Sequence, residues 1–358
     1  MKVSRRTFVY LSALGVLGCT ARQDRLRIFV YAGNHERMMR EVFVPAFETQ
    51  TGQTCVLESG WWDAPAKLKA SPPGRPAFDL LITDATQGYP AIREGMFASL
   101  EEANLPNVKK LAPRALDNPV WRERVGVPYP DSVMTLAYRP AAVQPAPTTW
   151  ADLLRESLRG QIAMYSSFYM SLYTFACMRA AQEGKPGTAH TLIENDLQGM
   201  LAYAQRERGR VKFWWKTSAE MILDLGRGTA CACNMHSPEM LQALREDKSL
   251  AAVVPPADRA LVQVLWCIPA DSPRKRLAEE AINILFSDEV QLGFARRGSA
   301  TALPKVAATV AASDPRWASI YPHTPEQFAQ LRYYPYETYA KHWDDIAEYW
   351  EKRVLRSG

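Results

Sequence analysis

The sequence is poor in the features that announce catalysis, nucleic-acid binding or repeated passage through a membrane. It has no Gly-x-Ser-x-Gly turn, no His-Glu-x-x-His helix and no glycine loop of the kind that cradles phosphate, which argues against the common hydrolase and nucleotide-handling chemistries. It has no basic run. The formal net charge is +5, and removing the three N-terminal charges of Lys2, Arg5 and Arg6 leaves about +2, so nucleic acid is not expected as a partner. Beyond residue 19 no apolar run approaches the length that spans a bilayer. Cysteine is scarce and irregularly spaced: Cys19, Cys55, Cys177, Cys231, Cys233 and Cys267 do not form a disulfide framework. Cys55, Cys177 and Cys267 read as single thiols in a core.

What is present starts at the N-terminus. Ser4-Arg5-Arg6-Thr7-Phe8-Val9 resembles a twin-arginine export signal, and the apolar run Tyr10 to Leu17 after it is too short to cross a membrane. Val16-Leu17-Gly18-Cys19 resembles a bacterial lipobox, which implies removal of residues 1–18 and lipidation of Cys19. An uncleaved anchor helix is the alternative. The expected location is a periplasmic or other extracytoplasmic membrane face, with the protein tethered through Cys19.

About 340 residues would remain after processing, more than one core usually serves, so two lobes are expected. Apolar strands alternate with helical patterns. Leu26 to Tyr31 reads as a strand, followed by a turn at Ala32-Gly33-Asn34 and a helix with Met39, Phe43, Ala46 and Phe47 on one face. Thr54 to Leu57 and Asp79 to Thr83 read as further strands, the latter apolar throughout, as in a sheet buried on both faces. Val133 to Tyr138, Gln161 to Met164, Val211 to Phe213, Thr229 to Cys233 and Leu261 to Ile268 continue the series. Helices are expected over Phe168 to Ala181, Leu192 to Arg206 and from Pro238, with another capped at Ser272-Pro273. A last helix begins at Tyr336, and its Tyr339, Trp343, Ile346 and Trp350 read as core packing. The fold class is α/β.

The order of these segments resembles family 1 bacterial extracellular solute-binding proteins, the receptors of ABC importers. The residues that carry the resemblance include Pro45 to Gly52, Phe78 to Leu81, Arg93 to Leu100, Gly126 to Tyr129, Thr148 to Leu153, Gly160 to Ala163 and Phe286 to Gln291. The resemblance implies a periplasmic-binding-protein-like type II fold: two α/β lobes, a central ligand cleft and two strand crossings. Residues 26–131 plus about 264–305 would form one lobe, and 132–263 plus about 306–358 the other. It implies no enzymatic activity, no resident cofactor, a small solute as ligand and ABC permease subunits as partners. An exported enzyme is the remaining alternative class.

Two branches of that family suggest solutes. In the polyamine branch, acidic residues would fall on Ser167 and Met170, Trp and Asp on Val262 and Val264, and Trp on Asn234, so the counter-ions for two ammonium groups are missing. In the ferric-iron branch the first loop matches Tyr31-Ala32-Gly33-Asn34-His35, with Asp84 and Tyr169 at further ligand positions and His236-Ser237 where a tyrosine pair would stand. His35, Asp84, Tyr169 and His236 are therefore the expected metal-ligand set, with a transported metal ion such as iron as the solute and affinity falling as imidazoles protonate below about pH 6. Ser167 and Asn234 are further candidate contacts. Trp61 and Trp62 offer an aromatic wall for an organic solute, polyamine being the alternative ligand, or else they pack between the lobes. Cys231 and Cys233 project to one face of a strand and are either soft ligands or small core residues.

Replacing Cys19 with Ala should move the protein from the membrane to the soluble fraction of a cell lysate. A variant that still sediments with membranes at full length would refute the lipid anchor.

Overall fold

The computed structural model describes residues 25–356, so the export and lipidation expectations, including Cys19, lie outside the described residues. Among the described residues, the order of alternating apolar segments becomes a nine-stranded sheet, eight strands following the path β2-β1-β3-β9-β4-β7-β5-β6 and β8 lying off it beside β4. The strands are β1 (Leu26–Tyr31), β2 (Cys55–Gly60), β3 (Leu80–Asp84), β4 (Val127–Tyr138), β5 (Ile162–Tyr165), β6 (Val211–Trp215), β7 (Ala232–His236), β8 (Ala251–Val253) and β9 (Leu261–Cys267). β1 lies parallel between β2 and β3, and β5 lies parallel between β6 and β7. Helices connect these parallel strands, as short loops cannot.

β4 joins the two parallel groups. Its residues Val127 to Val133 pair antiparallel with β9, and Met134 to Tyr138 pair with β7 and β8. The register against β9 shifts between Pro130 and Ser132. Pro128 and Pro130 have no N–H to give a ladder, and proline inside a strand belongs at an edge or a bulge. The irregularity thus falls where the strand exchanges one set of partners for another. A second connection runs from β8 to β9, so the chain passes between the groups again between Val253 and Leu261. All of β9 pairs with β3 and the first half of β4, which puts this crossing a few residues before 264.

The element expectations hold with shifts. The strand expected over 229–233 sits three residues later, because Thr229 closes the preceding helix by donating to the Asp224 carbonyl. The shift leaves Cys231 outside the strand, half-buried, while Cys233 is buried, and both are free thiols. The segment from Leu192 is two helices, Ala189–Asn195 and Leu197–Glu207, broken at Asp196, which caps the second through the Gly199 N–H. The helix expected to be capped at Ser272 starts at Lys275; Ser272 Oγ instead accepts from the Arg274 N–H before it. The final helix is three pieces, Tyr336–Lys341, Trp343–Tyr349 and a π-helical Trp350–Leu355. Thr149 and Asp152 form a cap on the 3₁₀ turn Trp150–Leu154.

Gly126 opens β4 against β9. A Cβ there would stand 2.8 Å from Cys267 Sγ and 3.2 Å from the Trp266 carbonyl oxygen, so this approach requires glycine. Gly126→Ala should overpack the junction and cost about 1–3 kcal/mol, read as a lower urea midpoint with unchanged slope. An unchanged midpoint would show that the β4–β9 contact has slack.

Candidate functional site

Strands of both groups end where β4 changes partners, and the residues at those ends face one another. β1 ends at Tyr31, and Gly33, at φ 86°, turns the chain into the helix that begins at Asn34. Glycine adopts that conformation without the steric cost other residues carry. His35 lies in its first turn, buried, its Nδ1 accepting from the Tyr31 N–H at 3.3 Å and its ring 6.0 Å from that of Trp266. β3 ends at Asp84, which caps the helix Ala85–Arg93: Oδ1 accepts from the Thr86 N–H at 2.7 Å and from the Thr86 hydroxyl. Aspartate suits this place because its charge complements the helix N-terminus while its oxygens take unpaired N–H groups.

From the other group, β5 ends at Tyr165 and the helix Phe168–Gln182 brings in Tyr169. β7 ends at His236, opposite Met134. His236 Nδ1 lies 3.3 Å from Ser132 Oγ and Nε2 lies 3.1 Å from the Tyr169 hydroxyl. A neutral imidazole donates at one nitrogen and accepts at the other, so both partners are served at once. Ser132 stands just past the register shift of β4 and ties this network to the crossing.

Aromatic rings fill the space between. Trp62, after β2, lies 6.1 Å from the Tyr169 ring and 6.2 Å from that of Trp343. Trp343 also packs at 4.5 Å on Phe168, and Tyr165 lies 4.5 Å from Trp215 and 5.8 Å from His236. Trp61 is 59% exposed and stacks on Tyr31 at 6.1 Å. Burial, followed by the Asp84 charge, pushes the Tyr165 phenol above its usual range, and the same two causes lead for Tyr336. Asp84 therefore faces these two phenols across the site.

Of the expected metal-ligand set, Tyr169 and His236 meet, whereas His35 packs on Trp266 and Asp84 is engaged at its helix cap. Among the described residues, no group of three His, Cys, Asp or Glu side chains gathers to hold a metal. Three of the four imidazole nitrogens of this pair are engaged within the chain, His35 Nδ1 by Tyr31 and the two of His236 by Ser132 and Tyr169. Asn234 is a correction. It is fully buried, Oδ1 accepting from the Tyr165 N–H and Nδ2 donating to Ser171 and Thr174, so it positions β5 and does not face a solute. Ser167 stands at the N-cap of its helix with its hydroxyl making no cap bond. Burial raises the Cys233 thiol, as expected of a small core residue. Trp343 was expected only as core packing, and Tyr165 and Ser132 gave no signal beyond their place near strand ends.

Comparison with known proteins follows this architecture. The chain belongs to the family of bacterial extracellular solute-binding proteins, which matches residues 43–319. Proteins of this family bind solutes rather than transform them, and they work outside the cytoplasm. Comparison with curated proteins gives no match. Among solved structures, an ABC transporter substrate-binding protein from Bradyrhizobium japonicum superposes with a TM-score of 0.77 at 15% identity, covering 93% of this chain and 100% of that one. The spermidine/putrescine ABC transporter substrate-binding protein PotD from Streptococcus pneumoniae gives 0.70 at 16% identity, with 92% and 100% covered. The Atu4243–GABA receptor gives 0.75 at 17% identity, with 94% and 99% covered. At such identities the likeness is one of fold. Among the described residues no helix is long and apolar enough to cross a membrane.

Burial alone pushes His35 and His236 down to about 4. Both imidazoles therefore stay neutral below pH 6, and the expected loss of affinity there has no titrating group in this pair. The effect falls on stability. Unfolded imidazoles titrate near 6.5, so from that pH down to about 4 the unfolded chain binds more protons, and stability falls as pH falls. By pH 5 the loss is about 2 kcal/mol for His35. The melting temperature should drop from pH 7 to pH 5, and His35→Gln and His236→Gln should each flatten that slope. Slopes equal to wild type in both variants would refute the neutral-histidine account.

Proposed function

We propose that the protein captures a small organic cation, an amine, between two lobes and delivers it to an ABC importer. The single observation that carries this reading is the composition of the site: aromatic faces of Trp62, Tyr165, Tyr169 and Trp343 around one carboxylate, Asp84, with no metal-ligand cluster among the described residues. Aromatic faces attract ammonium groups, and a carboxylate pairs with them at short range. Ser167 and Trp61 stand at the margin of the site and are its outer contacts in this reading. Two solved structures of this fold carry amine ligands in their names, GABA for one and spermidine/putrescine for the other. The lobes in this reading meet at β4 and at the β8–β9 connection, close to the boundaries 26–131 plus 264–305 and 132–263 plus 306–358. They close by rotation about those crossings, drawn by contacts that exist only when both sides touch the solute.

Titration calorimetry against putrescine, spermidine, GABA, Zn²⁺ and ferric citrate tests it. At least one amine should bind. Asp84→Asn, which keeps the helix cap, should weaken that amine by about tenfold or more, the worth of a charge-assisted hydrogen bond. Trp62→Ala should weaken it several-fold. Metal binding with no response to any amine would reverse the reading in favour of a metal receptor.

A further inference from the structure

A cavity lined by none of the aromatic-site residues lies against the β8–β9 crossing. Its volume is about 560 Å³, and its walls include Arg114, Arg259, Arg332, Leu261 and Gln327. No acidic residue lines it. Arg259 is in the crossing itself, between β8 and β9. Arg332 is on a segment bound to that crossing, its carbonyl accepting from the Leu261 N–H at 2.8 Å. Arg114 comes from the short helix Pro113–Leu116 on the opposite wall.

The charge balance of this cavity is one-sided. Neither Arg259 nor Arg332 has a carboxylate at ion-pair distance among the described residues, and the Nε of Arg259 is buried without a hydrogen-bond partner. Arg332 donates only to the Gly187 carbonyl. Asp258, whose charge also acts on Arg332, and Asp117 each have other partners. Asp258 accepts from the Gly187 and Ala189 N–H groups through separate oxygens, and Asp117 is shared by Arg114 and Arg122. Burial without compensation lowers Arg259 from the usual arginine range. A half-buried guanidinium with an orphaned N–H is costly to keep, and proteins normally give such a group an anionic partner. Its planar fork matches the two oxygens of a carboxylate or phosphate.

We propose that this cavity is an anion site in which Arg259 and Arg332, with Arg114 opposite, hold a small oxyanion carrying two or more negative charges. The class comprises inorganic phosphate and short dicarboxylates, which present the same oxygen geometry. An occupant would bridge the crossing segment and the segment around Arg332, so the site lies where it can stiffen the connection between the two strand groups.

The test is thermal melting and titration calorimetry of the protein with inorganic phosphate and, separately, with succinate, at ionic strength held constant with sodium chloride. Saturable binding with a rise in melting temperature is expected for at least one of them, and which one responds identifies the source. Arg259→Gln should weaken that binding at least tenfold. Arg332 is exposed, so Arg332→Gln retains the fold and carries the test should Arg259→Gln fail to fold; it should weaken binding several-fold. No saturable response to either anion, or wild-type binding in the folded variants, overturns the proposal.

Discussion

Everything in this molecule depends on one strand having to satisfy two sets of partners. Each residue of β4 must place its N–H and carbonyl somewhere, since buried backbone groups left unpaired are costly. Val127 to Val133 do so against β9 and Met134 to Tyr138 against β7 and β8, with the register shift at Pro130 to Ser132 between them. The exchange forces the ends of β3 and β7 to one place: Asp84 pairs with Val264 of β9, and His236 pairs with Met134 of β4. The site is thus a consequence of the crossing. Side chains buried behind it reinforce the junction, with Ser237 Oγ accepting from the Val133 N–H and meeting the Tyr321 hydroxyl at 2.6 Å.

The second governing effect is desolvation. Around the crossing, water is displaced by aromatic rings, and the ionisable groups respond in the direction that avoids charge: both histidines are driven toward neutrality and the phenols of Tyr165 and Tyr336 toward protonation. Among the described residues, what remains is an environment of flat apolar faces, neutral hydrogen-bonding groups and the Asp84 carboxylate held at a helix cap. Such an environment discriminates by charge and shape. A cation gains both from the ring faces and from Asp84, while an anion meets no compensating group there. The arginine-lined cavity at the β8–β9 crossing has the opposite character.

The alternation of apolar strands and helices, and with it the α/β class, was legible in the chain because burying a face imposes a period; the solute-binding family was legible only through the resemblance carried by segments such as Pro45 to Gly52 and Phe286 to Gln291. Leu80 to Ile82 are apolar throughout for this reason, and Leu26 to Val30 are apolar except for the exposed Arg27. The loop at His35 could be read from the turn residues Ala32-Gly33-Asn34, whereas Asp84 was singled out by the family resemblance. Three-residue errors such as that at β7 arose where Thr229-Ala230-Cys231 has strand-like composition but its first N–H closes a helix. Which residues meet was not legible. His35 and His236 look alike in the chain, yet one accepts from the Tyr31 N–H of its own local turn and the other bridges Ser132 and Tyr169, residues distant from it by 104 and 67 positions.

By itself, then, the sequence determined the periodicity of burial, the succession of strands and helices, and the residue types available at each strand end. Only the tertiary structure decided that Trp343, read as core, faces Trp62; that Asn234, read as a ligand contact, is a buried bracket for β5; and that four residues read as one metal site divide into a bridged pair and two locally engaged side chains. The physical reason is that periodicity is set by each element's own exposure, whereas the use of a lone pair or a ring face depends on which distant groups the crossing of β4 brings within hydrogen-bond or van der Waals reach.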